Sequence, residues 1–422
     1  MQSSRWLLTL FFAAGLCGCS PVFAAGTDSA KLLETADEAI KMVERLRDLD
    51  FKEPVRKEVR DRAEIASFLK GRVREKYTQD ALQKESKMLS KLGLIPPTLD
   101  YRDCILKLLM EQVGGYYDEK KKTLVFASWL PIEEQIPAMM QALLDQHFNI
   151  RRIIEDESAK HNNDRALALK ALLEGDGTVV SLQYILEQSS PKRHFAELPD
   201  LAAVMQFQMT AMEAQSAAFK EAPAYIQQTL VFPYGYGASF LQSAWKEASG
   251  WQSVDAVYFD LPASTEQIMH PEKYFGLRDD PLPVTPFDPV AKLGGDWKIA
   301  YENVLGEFSL GLLLNLELTD EHARKSVSGW GGDRVMHLEN GAGRDAVFVN
   351  TMWDADEDAE KFYLAMEEWF RKRYPDGKKE GESATVFSLV HDGEYCGMQR
   401  DGKSIYFMIG LPESERRRWE GN

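Results

Sequence analysis

Pro137-Ala138-Met139-Met140-Gln141-Ala142-Leu143-Leu144-Asp145-Gln146-His147-Phe148 is the stretch that decides how this chain is read. With Ile136 before it, the apolar residues Met139-Met140, Leu143-Leu144 and Phe148 recur at the spacing of an amphipathic helix. Pro137 disturbs that helix little if it lies in the first turn, where its missing N–H would be unpaired in any case. Glu133 and Glu134 just upstream suit a helix start, because carboxylates favour the positive end of the helix dipole. A helix is therefore expected here, shortened if at all at its N-terminal end.

Working outward, Gly114-Gly115-Tyr116-Tyr117-Asp118, a charged turn and Thr123-Leu124-Val125-Phe126 predict a β-hairpin upstream. Downstream, Asn163-Asp164 offers a cap for a long helix closed by Pro191, and Leu198 to Gln228 reads as further helix with Met205, Met209 and Met212 as packing residues. Thr27 to Leu94 reads as helical throughout, Pro96-Pro97 breaks it, and Asp103 to Gln112 resumes. Past the proline-bearing segment Val284 to Pro289, a helix is expected over Tyr301 to Glu317 and another over Asp356 to Arg373. Strands are expected at 335–338, 346–352, 384–390 and 404–409. The fold class is thus α+β: a mostly helical body with a small hairpin, then a C-terminal α+β domain built on an antiparallel sheet. The expected divisions are 1–18, 19–100, 101–285 and 286–422.

The chain has 422 residues, 44% hydrophobic and 27% charged, which is ordinary for a folded protein. A net charge of −16 argues against sequence-independent nucleic-acid binding, which needs a basic face. Arg5 precedes an apolar run, Leu7 to Leu16, that falls short of the ~20 residues needed to span a bilayer. Leu16-Cys17-Gly18-Cys19 then resembles a bacterial lipobox, with Cys19 as the residue to be lipidated and 1–18 as the signal peptide. Ser20 after it favours the outer membrane, so an outer-membrane lipoprotein facing the periplasm is expected. Val22-Phe23-Ala24 offers the alternative of simple cleavage and a secreted or periplasmic protein. Cys104 and Cys396 either pair or remain buried thiols.

The tail from Ala142 to Phe148 resembles the end of the zinc helix in a family of bacterial gluzincin-like metallopeptidases, where H-E-x-x-H-A-L-Q-D-Q-H-F is the usual reading. HExxH works because residues four apart share a helix face, so that two imidazoles reach one zinc while the Glu between them activates water. On that pattern the histidines fall on Pro137 and Gln141, and the catalytic Glu falls on Ala138. Ala168 to Thr178 resembles the family's ALxALxEGDAT segment, with Glu174 in the place of the later ligand and Gly177 where the family has Ala. Phe232 to Gly237, Ser264 to Tyr274 and Gly329 to Arg334 are similar to its FPYxxG, STEQILHPEKY and GWGGDR blocks, so the resemblance runs from about Leu49 to Val390.

This resemblance implies a zincin-like body from which the chemistry has gone. Proline has no donor atom, alanine cannot act as a base, and glutamine is a poor zinc ligand. No cofactor is expected, and zinc would be the cofactor only of a rebuilt site. His147 lies at a different angle of the helix, and no G-x-S-x-G, P-loop or CxxC motif stands in. The expectation is an inactive metallopeptidase-like lipoprotein that binds a peptide or envelope protein in a vestigial cleft. Glu174, Tyr116, Tyr117, His270 and Tyr274 are the candidate cleft residues. The alternatives are an active hydrolase with a rebuilt site and a structural scaffold whose cleft has closed.

Overall fold

The computed structural model describes residues 29–76, 79–111, 114–199, 201, 216–248, 250–284 and 287–420. The leader with Cys19 and the methionines 205, 209 and 212 lie outside the described residues. No helix among the described residues is long and apolar enough to cross a membrane.

Helix α1 (Ser29–Arg47) buries Leu32, Ala36, Ala39, Val43 and Leu46 along one stripe, as the helical period requires. Strand β1 (Arg56–Arg60) then interrupts the region expected to be helical throughout. Its sequence, RKEVR, shows no apolar alternation. Its conformation comes from parallel pairing with β3 (Thr123–Ala127), whose other edge holds β2 (Tyr116–Asp118) antiparallel. The expected hairpin is therefore present, as part of a three-stranded sheet. Helices α2 (Arg62–Lys76), α3 (Gln79–Lys91) and α4 (Tyr101–Glu111) complete the N-terminal part.

Helix α5 (Ile136–Phe148) begins with Pro137 in its first turn and ends where Asn149 turns left-handed at φ 49°. After α6 (Ile150–Ala159), the 27-residue helix α7 (Asn163–Ser189) runs through the body. Its cap is Asn162, whose side chain accepts the N–H of Arg165, one residue earlier than the sequence suggests. Helix α8 (Ala224–Ala248) contains the whole FPYGYG block and crosses α7 with Gly237 against Gly175 and Ala171. A Cβ on either glycine would overlap the other helix's backbone.

The C-terminal sheet has seven antiparallel strands in the order β4-β5-β6-β10-β9-β8-β7. They are β4 (Lys298–Asn303), β5 (Trp330–Glu339), β6 (Asp345–Trp353), β7 (Lys378–Glu382), β8 (Val386–His391), β9 (Glu394–Asp401) and β10 (Ser404–Pro412). The α+β class is as expected, with two local differences. The segment expected as one helix over Tyr301 to Glu317 is strand β4 followed by α10 (Gly306–Leu314), the break falling at Gly306 with φ 76°. Strands β7 and β9, KKEGE and EYCGMQRD, were not expected because glycine and charge hide their alternation. Helix α11 (Asp356–Arg373) covers one face of the sheet, and short helices at Pro289–Leu293 and Arg416–Glu420 cover the other. Leu89 of α3, Leu92 just beyond its end and Ile105 of α4 share a core with Val335, Val347, Trp369 and Phe407, so this core crosses the divisions at 100 and 285. Cys104 and Cys396 are free thiols.

Candidate functional site

Where α5 crosses α7, Pro137 meets Gly177 and Gln141 meets Glu174, an antiparallel register. A Cβ on Gly177 would lie 3.4 Å from Pro137 Cα, and Gln141 Nε2 donates to Glu174 Oε1 at 3.3 Å. Three of the positions singled out by the sequence are thus brought together. The face is also shut in: Ala138 is 3% exposed, Gln141 5% and Glu174 3%, with Met139 and Met140 at 0%. Lys170, one turn before Glu174 on α7, is buried with them, and its Nζ has no hydrogen-bond partner. Burial lowers the ammonium to about 7 although the charge of Glu174 raises it. On α8, burial and then Glu174 push the Tyr234 phenol well above its ordinary value.

These residues do not fit zinc. Pro137 and Ala138 offer no donor atom, the amide of Gln141 is turned to Glu174 as a hydrogen-bond donor, and the orphaned Lys170 amine brings positive charge rather than a ligand set. His147 is not recruited, since its Nε2 lies 2.8 Å from the carbonyl oxygen of Asp50.

Tyr116 and Tyr117 are each 1% exposed. The Tyr116 phenol accepts from Arg60 at 2.6 Å and its ring stacks on Phe68 at 4.4 Å, tying β2 to β1 and α2. The Tyr117 phenol donates to Asp145 Oδ2 at 2.9 Å, and Lys122 Nζ reaches the same oxygen at 2.5 Å. Asp145 of the DQHF tail therefore fastens the hairpin to α5. Asp176, next but one to Glu174, is likewise structural. It accepts from Arg47 Nε at 2.8 Å and from the Tyr258 hydroxyl at 2.8 Å, all three side chains being buried. Sequence reading missed both roles because their partners lie far off in the chain.

His270 and Tyr274 lie elsewhere, and among the described residues neither bonds to Gln141 or Glu174. His270 Nε2 sits 2.9 Å from Glu307 Oε1. Burial opposes the imidazolium, but the hydrogen bond and charge of Glu307 outweigh it, so the ring titrates above its ordinary value. The Tyr274 hydroxyl donates to the carbonyl of Asp260 at 2.5 Å, with the Arg278 guanidinium 4.8 Å from the ring centre.

Between them, Lys273 closes an ion cluster. Its Nζ lies 2.6 Å from Glu266, 2.8 Å from Asp279 and 2.9 Å from Asp354. One oxygen from each carboxylate lies within 4.8 Å of the others, close enough to hold a cation, and the ammonium takes that place. Burial disfavours the charged amine, yet the three carboxylates hold its pKa well above the ordinary lysine value.

The other resemblance blocks act as fasteners in the same region. Asp333 of GWGGDR accepts the N–H groups of Leu305 (2.8 Å) and Gly306 (2.7 Å) at the start of α10, and the Trp330 indole N–H at 3.0 Å. Asp164 accepts the backbone N–H of Thr265 at 3.2 Å and its hydroxyl, joining α7 to α9 (Thr265–Met269). Gly306 is required there, since its backbone is left-handed and a Cβ would overlap the Asp164 carboxylate. Burial pushes Asp164 up to about 8 and Asp333 up to about 6.

A family model described as "Domain of unknown function (DUF8575)" matches residues 298–418, which span the seven-stranded sheet and α11. No curated protein and no solved structure matches the chain.

Proposed function

We propose that this chain is a catalytically inactive, metallopeptidase-like protein of the cell envelope, anchored through a lipid on Cys19, that serves as a scaffold rather than a hydrolase. The observation that carries the reading is the state of the inherited face. Ala138, Gln141, Glu174, Tyr116 and Tyr117 are between 1% and 5% exposed, and the polar ones among them are bonded to other side chains of the chain itself. A hydrolytic zinc site needs an open coordination position reachable by substrate. This face offers neither the ligands nor the access, so zinc has no part in the reading. The test is metal content and peptide hydrolysis of protein purified without chelator. One zinc per chain that survives dialysis, or hydrolysis lost on Glu174→Gln, overturns it. The anchor is tested separately by labelled fatty-acid incorporation, which Cys19→Ala should abolish.

One observation favours a second reading with a peptide partner. Among the described residues strand β2 pairs with β3 alone and lies at the edge of its sheet, where an extended segment of an envelope protein can add as a further strand. Because Tyr116 and Tyr117 are buried, such a partner would be held through backbone hydrogen bonds rather than side-chain pockets. Titration with a peptide library separates the readings, since the scaffold predicts no saturable binding.

A further inference from the structure

Between α4 and the short helix Ala217–Glu221 lies an open cavity of about 300 Å³. That is the lower end of the ~300–1,000 Å³ that small-molecule sites occupy. Small side chains line it where larger ones would close it, Ala218 and Ala222 from one wall and Cys104 from the other. The walls are held in place. Glu111, at the end of α4, accepts the Ser216 hydroxyl at 2.5 Å and the Ala218 N–H at 3.1 Å. Leu99, turned back onto the Pro96 carbonyl by a 3.1 Å backbone bond, packs against the adjoining core. The lining is apolar inside and charged at the rim, where Asp100, Asp103, Lys107 and Glu221 are all exposed. Lys107 pairs with Asp103 at 2.9 Å, one turn away on α4. Asp100 accepts the Asp103 N–H at 2.8 Å, and among the described residues neither Asp100 nor Glu221 has an ion-pair partner. The rim thus sets three carboxylates against one ammonium and leaves two of them unpaired.

We infer that this cavity is a binding site for a small organic cation, an amidinium or amine carried on a compact apolar body. The apolar part lies against Leu99, Ala218 and Ala222, and the cationic end lies among Asp100, Asp103 and Glu221. A planar amidinium suits such a rim because its N–H groups can pair with both oxygens of one carboxylate. An anion meets the same rim as repulsion, and a neutral body of equal shape gains only the apolar contacts. The site shares no residue with the α5–α7 face and stands apart from the non-catalytic reading.

Cys104 supplies the reporter, since it is a free, half-buried thiol in the cavity wall. Burial and then Asp103 hold that thiol above its ordinary pKa, so its alkylation is slow enough to time. Its reaction with iodoacetamide is followed at the Cys104 peptide by mass spectrometry, in the full-length protein with benzamidine, neutral benzamide or benzoate added. Benzamidine should slow the reaction saturably, and benzamide should need roughly fivefold more for the same protection, the contribution of an exposed ion pair. Benzoate should leave the rate unchanged. Asp100→Asn/Glu221→Gln keeps both side-chain shapes and the Asp103 cap, and it should remove the advantage of benzamidine over benzamide. Glu221→Gln alone serves if the double variant does not fold, and should at least halve that advantage. Equal potency of benzamidine and benzamide in the parent overturns the cation assignment. No saturable protection by either compound overturns the site, and protection unchanged by the substitutions overturns it as well.

Discussion

Arg47→Met should unfasten α1 from the body, and the structure sets the size of the effect. The Arg47 side chain is 0% exposed, as is that of Asp176, which it reaches from Nε at 2.8 and 3.1 Å. A second bond runs to Asp255 at 2.6 Å, whose side chain is 27% exposed, and the guanidinium lies 4.3 Å from the centre of the Trp251 ring. Removing one partner of a buried, hydrogen-bonded ion pair costs about 3–5 kcal/mol, because the other charge is left without compensation. The lost cation–π contact adds about 1–2 kcal/mol, partly offset by methionine packing on the indole. We therefore expect a loss of about 4 kcal/mol, a large share of the ~5–15 kcal/mol that holds a folded domain. With a urea slope of about 3 kcal/mol/M, the unfolding midpoint should fall by roughly 1.3 M. Tryptophan fluorescence reads the transition, and Asp255→Asn should cost only about 1 kcal/mol because its carboxylate is partly solvated. Burial already holds Asp176 above the ordinary carboxylate range despite Arg47. The deficit of Arg47→Met should therefore shrink as pH falls and Asp176 takes up a proton. A variant within 0.5 kcal/mol of the parent at an unchanged slope would show that this network does not anchor α1.

Three further outcomes follow from the same structure. Burial raises Asp164 to about 8, above its unfolded value of about 3.9, so its contribution is full below that unfolded value and is lost as pH rises to about 8. The slope is at most about 1.4 kcal/mol per pH unit, and Asp164→Asn should flatten the parent's fall in melting temperature between pH 5 and pH 8; an unchanged profile counts against it. Gly237→Ala drives a Cβ into the carbonyl of Ala171 and should cost about 3 kcal/mol or prevent folding, whereas a melting point within a degree of the parent would contradict the close α7–α8 crossing. Lys273→Met leaves Glu266, Asp279 and Asp354 facing one another and should cost about 2–3 kcal/mol in chelator. Millimolar Ca²⁺ should then raise the melting point of that variant but not of the parent, and equal responses would refute the cluster's role as a filled cation site.

Much of the candidate site was legible in local pattern. The register of the degenerate helix placed Pro137 and Gln141 on one face, and the cap and length of the following helix placed Glu174 within it. The meeting of Gln141 with Glu174 then needs only that the two helices pack. Tyr116, Tyr117, His270 and Tyr274 were harder, because a polar aromatic or histidine in a loop looks the same in sequence whether it lines a cleft or ties two elements together. Their partners, Arg60, Asp145, Glu307 and Asp260, decide between those roles.

By itself the amino-acid sequence determined the amphipathic α5 with its tolerated proline, the GYYD hairpin, the long α7 and the α+β class, because helical and strand periodicities are local properties. Only the tertiary structure decided that RKEVR is a strand, since its pairing partner in β3 lies over sixty residues away. The same holds for Gly237 against Gly175, for Lys273 among three carboxylates and for Lys170 shut in beside Glu174. In each case burial sets the chemistry. A lysine or carboxylate is an ordinary surface group until other parts of the chain remove it from water, and nothing in its immediate neighbours announces that they will.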